Sequence, residues 1–329
     1  LTELVDAFGR RITYLRVSVT DRCNLGCFYC TPGKEGCRSS GGQVLTTEEI
    51  TGIVEVAAAC GISKIRLTGG EPLLRPNLTE LVRRLKEVPG IAELSLTTNG
   101  MLLDRLARPL AEAGLQRVNV SLDSLSRKNF NNITRGGNLE KALNGVRAAR
   151  EAGLNPVKIN VVLLKGINDS EIADFAKLTL REDFHVRFIE FMPISADGER
   201  WREHFLPLEA AMAECARLAP LEELPRPQNG GPARYFRYNG ARGNIGFISP
   251  LSRHFCGECN RLRVTANGKL LPCLLQENEI DLRALLPEPD AVAAAFVRSL
   301  SAKPDPAKVA DDPLARCRRC TTVMAAIGG

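Results

Sequence analysis

Histidine is nearly missing from this chain, with three residues in 329, against eleven cysteines. That balance places any metal ligation on thiols. No stretch of eighteen apolar residues occurs, so no transmembrane helix is expected. A charged-then-apolar leader is absent as well, and the chain begins with leucine. The expectation is a cytoplasmic protein lacking a short upstream segment. Charge of one sign is also lacking: 44 Lys and Arg against 38 Asp and Glu leave +6, spread along the chain. This argues against a nucleic-acid surface and suits a small anionic substrate. Hydrophobic content of 44% and charged content of 25% fit one large α/β domain, or one with an extension.

The chain is too long, and its cysteines too clustered, for a disulfide scaffold, so reduced thiols in a reducing compartment are expected. Cys23, Cys27 and Cys30 lie in C-x3-C-x2-C spacing just after the β-branched run at 15–20. Soft sulfur donors select zinc or iron–sulfur clusters. Structural zinc wants four ligands and this loop offers three. Either a fourth comes from elsewhere, or a cubane keeps one iron open to a small molecule. A second group has Cys256-Gly257-Glu258-Cys259, the run Asn260-Arg261-Leu262-Arg263, and then Cys273. Cys317 and Cys320, also two residues apart, could join Cys256 and Cys259 in a four-thiolate zinc site, leaving Cys273 over.

Apolar, β-rich runs recur at 15–20, 64–68, 93–98, 117–122, 157–164 and 185–191. Between them lie amphipathic stretches at 50–57, 78–88, 102–113, 139–152 and 170–180. Thr46 and the acids that follow read as a cap, while Gly61, Gly114 and Gly153 read as helix stops. Alternation of this kind predicts parallel strands with right-handed crossovers. Six units are too few for a closed barrel. An incomplete (βα)6 TIM-type barrel is expected, with a doubly wound sheet second. Ligands would bind beyond the strand carboxyl ends, where the first cysteine loop falls. Residues 34–43 read as a mobile loop. Past Pro193 the period breaks, which divides the chain into a barrel at 1–193 and a smaller region at 194–329, with one short helix at 291–301.

Gly69-Gly70-Glu71-Pro72, Thr97-Thr98-Asn99-Gly100 and Ser121-Leu122-Asp123 follow strands, where they either cap helices or face a ligand. By residue type alone, Met192 reads as core. Arg16, Arg66, Lys158 and Arg187 sit on strands, where a buried charge must be paired or face a polar cavity. Glu71 or Asp123 could pair with one or two. Four converging cations would instead form a polyanion pocket suited to phosphates.

The order Cys-Asn-x-x-Cys-x-Tyr-Cys resembles the radical S-adenosylmethionine enzymes. The second triad with its Asn-Arg-x-Arg run is similar to that of the GTP 3′,8-cyclase family of molybdenum cofactor biosynthesis. The likeness extends through Thr20-Asp21-Arg22-Cys23-Asn24, residues 66–72 and 97–100, Asn119-Val120-Ser121, residues 187–190 and the closing Gly328-Gly329. It implies that Cys23, Cys27 and Cys30 hold a 4Fe–4S cluster whose open iron takes S-adenosylmethionine. Tyr29, Gly70, Ser121 and Met192 would touch that cofactor. Cys256, Cys259 and Cys273 would hold a second 4Fe–4S cluster in a C-terminal extension that closes the barrel opening. GTP would lie against Arg16, Arg66, Thr97, Lys158, Arg187, Arg261, Leu262 and Arg263.

The implied activity is radical cyclisation of GTP to 3′,8-cyclo-7,8-dihydro-GTP, with no side chain as acid or base. A reductant protein, a downstream cyclic pyranopterin monophosphate synthase and a homodimeric state are implied with it; nucleic acid and membrane are not. The short glycine-rich loop after the first triad, the extra pair Cys317 and Cys320, and the alanines before the tail depart from the family pattern.

Overall fold

The computed structural model describes residues 3–30, 43–194, 198–225, 231–276, 278–309 and 324–327. Most of the 34–43 loop, Cys317, Cys320 and the terminal glycines lie outside the described residues.

Six strands fall where alternation placed them: β1 (Tyr14–Ser18), β2 (Lys64–Thr68), β3 (Glu93–Thr98), β4 (Arg117–Ser121), β5 (Lys158–Leu163) and β6 (His185–Glu190). Each crosses to the next through helix: α1 (Thr47–Ala59), α2 (Leu78–Glu87), α3 (Leu103–Glu112), α4 (Arg127–Thr134) with α5 (Leu139–Glu151), and α6 (Ile172–Arg181). Local chemistry sets the boundaries. Thr46 Oγ1 accepts from Glu49 N at 3.1 Å and Glu49 Oε2 from Thr46 N at 2.7 Å, a reciprocal capping box. Gly153 follows α5 at φ +80°, a left-handed stop that costs glycine little. Strands β1 to β6 pair in sequence, all parallel.

The C-terminal third then adds α7 (Gly198–His204), α8 (Leu208–Leu218), β7 (Leu221–Glu223), β8 (Arg234–Tyr238), β9 (Asn244–Ile248), β10 (Arg261–Val264), β11 (Lys269–Leu271), β12 (Ile280–Asp281) and α9 (Pro289–Ser301). These strands extend the barrel sheet rather than forming one of their own. β9 lies parallel beside β6, and β10 parallel beside β1. Antiparallel strands continue outward on both sides, giving twelve in the order β12-β11-β10-β1-β2-β3-β4-β5-β6-β9-β8-β7. The parallel run is therefore eight strands wide and open, its edges shielded by β7–β8 and β11–β12.

The two faces of this sheet differ sharply. Leu15, Ile65, Leu67, Leu94, Leu96, Val118, Val120, Val161, Val186, Phe188, Ile245, Leu262 and Val264 share one parity and are fully buried. They pack in one hydrophobic core under a helical layer in which α9 meets α1, α1 meets α2, α2 meets α3, α3 meets α5 and α6 meets α8. Burying each such side chain contributes about 1.5–3 kcal/mol. The opposite parity carries Tyr14, Arg16, Arg66, Ser95, Thr97, Asn119, Lys158, Asn160, Arg187 and Arg263. A barrel packed for stability alone fills that interior with branched apolar residues. This one is lined with cations and amides.

Candidate active site

The first cysteine loop leaves β1 and is fastened to its neighbours through backbone. Val19 N donates to Thr68 O at 2.9 Å, Gly70 N to Thr20 O at 2.8 Å and Glu71 N to Arg22 O at 2.7 Å. Gly70 is needed because the loop presses on it: a Cβ there would meet Arg22 O at 2.2 Å. The close approach that the glycine pair permits is thus, first of all, that of the cysteine loop. From the other side, Gly26 N donates to Thr134 O at 3.0 Å and Phe28 N to Ile133 O at 3.1 Å, so the end of α4 carries the loop's far half.

Glu71 is wholly buried and accepts from Leu73 N, Thr98 Oγ1 and Asn99 N at 2.7–3.0 Å, while Asn99 Nδ2 donates to Asn24 Oδ1 at 2.8 Å. One carboxylate therefore links the Gly-Gly-Glu turn to the turn after β3, and Asn99 links that turn to the cysteine loop. Burial pushes Glu71 up to about 7, opposed by those three donors. Tyr29 donates its hydroxyl to Asp123 Oδ2, and Asp123 Oδ1 accepts from Val162 N at 2.8 Å. Asp123 is raised to about 6, again by burial. Glu71 and Asp123 are thus engaged with donors other than the strand cations. Met192 is half-buried in a small apolar cluster that also takes in Phe28, Tyr29 and Phe191. Ser121 ends β4 opposite Asn160.

Cys23, Cys27 and Cys30 are unbridged and partly exposed. Burial raises the Cys27 thiol well above its usual range, and Asp123, Cys30 and Cys23 add to the rise. Thiols that oppose one another's ionisation bind a cationic metal centre by giving up those protons. Among the described residues no three Cys, His, Asp or Glu form a single-ion chelate. The donor set, three soft sulfurs without imidazole, is of a kind that suits an iron–sulfur cluster.

The inner face of the sheet carries the charge. Arg16 lies in register with Arg263 on β10 and with Arg66 on β2. Burial lowers the Arg16 pKa first, and Arg263, Arg66 and Arg261 lower it further. Lys158 is pushed down to about 7 by burial, then by Arg187, Arg66 and Arg117. Arg187 is 5% exposed, and its Nε and one terminal nitrogen have no protein acceptor. Thr97 Oγ1, Asn119 Nδ2 and Asn160 Oδ1 are likewise buried without a partner. Leaving such groups unsatisfied costs about 1–3 kcal/mol each, a cost that a polar anionic ligand would recover.

Across the sheet edge, Cys256 opens a 3-10 turn at Cys256–Glu258, Cys259 caps it, and Cys273 follows β11. Arg261 and Arg263 stand on the cationic face, the Arg261 guanidinium over Phe255 at 5.0 Å. Leu262, between them, turns its side chain into the hydrophobic core with 0% exposure, so the pocket is offered only its backbone. Burial lowers Arg263 to about 10, Arg261 adds to this, and Cys273 and Cys259 counter it. Cys259 is driven up by burial but further down by Arg261 and Lys303, ending at about 7.

Sequence reading missed Asn119, Asn160 and Lys303. Asn160 was visible only as a polar residue at inward parity, and Asn119 also as the first residue of the Asn119-Val120-Ser121 run. Nothing local marks Lys303.

The Radical SAM superfamily matches residues 17–179, and Molybdenum Cofactor Synthesis C matches residues 184–309. The chain is 50% identical over 303 residues to the GTP 3′,8-cyclase of Moorella thermoacetica, covering 91% of this chain and 93% of that one. To the GTP 3′,8-cyclase of Pelotomaculum thermopropionicum it is 50% identical over 305 residues, covering 91% and 94%. Among solved structures, Streptococcus suis SuiB bound to S-adenosylmethionine shares the fold at a TM-score of 0.61 and 14% identity, over 88% of this chain and 67% of that one. No helix among the described residues is long and apolar enough to cross a membrane. The chain belongs to the GTP 3′,8-cyclases, radical enzymes that use S-adenosylmethionine and 4Fe–4S clusters in the first step of molybdenum cofactor biosynthesis.

Proposed function

We propose that the inner face of the sheet is the GTP site, with a cluster-bearing cysteine triad at each flank. Cys23, Cys27 and Cys30 would hold the 4Fe–4S cluster that takes S-adenosylmethionine, and Cys256, Cys259 and Cys273 the second. When bound, these groups supply an electron and a carbon-centred radical able to remove a hydrogen atom from the GTP ribose. The protein's own residues do the rest. Arg16, Arg66, Lys158, Arg187 and Arg263 neutralise and orient the triphosphate, the guanidinium groups having the geometry for bidentate contact. Thr97 offers a hydroxyl to the same ligand, while Arg261 and the Leu262 backbone bound it on the second triad's side. Asn119 Nδ2 and Asn160 Oδ1 are buried amide atoms with no protein partner to compete for them. Tyr29, Gly70, Ser121 and Met192 frame the S-adenosylmethionine end, with Tyr29 held in place by Asp123. Holding both molecules on one rigid sheet face supplies proximity and keeps water from the reacting carbons.

The observation that carries this reading is the gathering of mutually destabilising cations with orphaned polar atoms on one buried face. A fold does not maintain such a cost without a ligand that repays it. Residues 194–329 would close the opening, in a reducing compartment, with a reductant protein supplying electrons and a downstream synthase taking the product. A homodimer is the expected assembly.

The test is iron, sulfide and zinc content with 5′-deoxyadenosine yield on anaerobic protein. Cys→Ser at 23, 27 or 30 is expected to abolish 5′-deoxyadenosine formation. Cys→Ser at 256, 259 or 273 is expected to remove about half of the roughly eight irons of two 4Fe–4S clusters and to impair GTP turnover. Unchanged 5′-deoxyadenosine in the first set, or a loss of zinc instead of iron in the second, contradicts the assignment.

A further inference from the structure

Lys303 is 4% exposed and lies beside the second triad, its Nζ near Cys259. It follows α9 on a tight turn in which Lys303 N donates to Leu300 O at 3.1 Å. Its Nζ reaches Arg261 O at 2.9 Å, Pro272 O at 3.1 Å and Cys259 Sγ at 3.9 Å. An ammonium has three protons, and these are three acceptors. Each contact fastens a different part of the site: Arg261 begins β10, Pro272 precedes Cys273, and Cys259 is a thiolate donor itself. The neighbouring backbone completes the clamp. Pro304 O and Cys256 O both accept from Arg10, at 2.9 and 2.8 Å, and Arg10 pairs with buried Asp6 at 2.6 Å. Lys303 and Pro304 thus fasten the turns of all three cysteines, Cys256 by way of Arg10.

A buried lysine is expensive unless its charge is offset. Burial lowers the Lys303 pKa, Cys259 and Cys273 oppose that, and Arg10 and Arg261 add to it, while the Arg261 and Pro272 carbonyl oxygens accept from the ammonium. Reduction of an iron–sulfur cluster adds negative charge. A fixed cation with an N–H directed at a ligand sulfur therefore favours the reduced form.

We propose that Lys303 is the positioning residue of the second cluster, holding the turns of Cys259 and Cys273 and raising the cluster's reduction potential through its buried charge. This rests on the reading that Cys256, Cys259 and Cys273 hold a 4Fe–4S cluster, and the experiment separates the two. In full-length chain with Cys23, Cys27 and Cys30 all changed to serine, only the second cluster remains after anaerobic reconstitution. About four irons per chain are expected there. Redox titration by electron paramagnetic resonance then compares Lys303 with Lys303→Met and Lys303→Arg, thermal unfolding reporting whether each is folded. Lys303→Met is expected to shift the reduction equilibrium at least tenfold toward the oxidised form, ~59 mV for one electron. Lys303→Arg is expected to recover more than half of that shift.

Equal potentials for Lys303 and Lys303→Met at equal iron content overturn the proposal. If Lys303→Met takes up no iron, recovery of the cluster in Lys303→Arg supports it and failure to recover overturns it. No iron in the parent with Lys303 intact overturns the cluster reading itself, and the proposal with it.

Discussion

Lys158 shows at the scale of one residue how the site spends stability. Burial and the charges of Arg187, Arg66 and Arg117 hold it at about 7, with Glu93 opposing them only in part. A triphosphate placed beside it would return its pKa toward the ordinary lysine value, so binding above pH 7 should take up a proton. GTP affinity is therefore expected to fall as pH rises through 7 toward 10. Calorimetry at pH 8 in two buffers of different ionisation enthalpy should show net proton uptake, absent in Lys158→Met; equal uptake in both contradicts the placement. Linkage has the opposite sign for the ligand-free fold. The unfolded lysine binds its proton more tightly, so that fold gains stability as pH rises from about 7 to 10. Lys158→Met should melt higher than the parent at pH 7, by about 1 kcal/mol or more, while binding GTP more weakly.

Arg16, Arg66, Lys158 and Arg187 were legible in the sequence because a charge recurring on β-runs has to be explained. What the sequence left open was whether Glu71 or Asp123 pairs with them; the oxygens of both are bonded instead to Thr98, Asn99, Leu73, Tyr29 and Val162. Leu262 lies between two site arginines in the chain, but the strand's period of two sends it to the core.

Among the elements, the turn after β2 and the cysteine loop form one unit. Gly70→Ala places a methyl group 2.2 Å from Arg22 O, a clash with backbone that can be relieved only by moving the loop. The expected result is a cost of about 2 kcal/mol or more, and loss of first-cluster iron from a protein that still folds. Thr46→Ala removes one cap of α1 on the outer layer. It should cost about 1 kcal/mol and leave iron content unchanged. Iron content and thermal unfolding of both variants check this. Equal iron in Gly70→Ala and the parent would mean that the turn does not shape the loop.

β1 to β6 were legible because each repeats the same alternation between capped helices. β9 and β10 were not. Asn-Ile-Gly-Phe-Ile and Arg-Leu-Arg-Val are short, sit among prolines, glycines and cysteines, and find their partners some sixty and 250 residues earlier in the chain. Such pairing is set by tertiary contact rather than by local pattern. The polar helix α4, Arg-Lys-Asn-Phe-Asn-Asn-Ile-Thr, lacks a broad apolar stripe and escaped for that reason.

For the whole molecule, the chain's last third returns to both edges of the first two thirds. β9 covers β6, β10 covers β1, and Arg283 grips Glu49 of α1 with two nitrogens at 2.9 and 3.1 Å. A fragment of residues 1–193 would expose two unpaired parallel edges and part of the core. It should aggregate on expression, as sedimentation will report. A monomeric fragment with a cooperative melt would show instead that the barrel is self-sufficient.

The most direct measurement of the central claim is electron paramagnetic resonance of chain carrying serine at 23, 27 and 30, reduced anaerobically with and without GTP. A signal from one 4Fe–4S cluster that changes its g-values when GTP is added is the result expected if the nucleotide lies between the triads. A cluster signal indifferent to saturating GTP would contradict it.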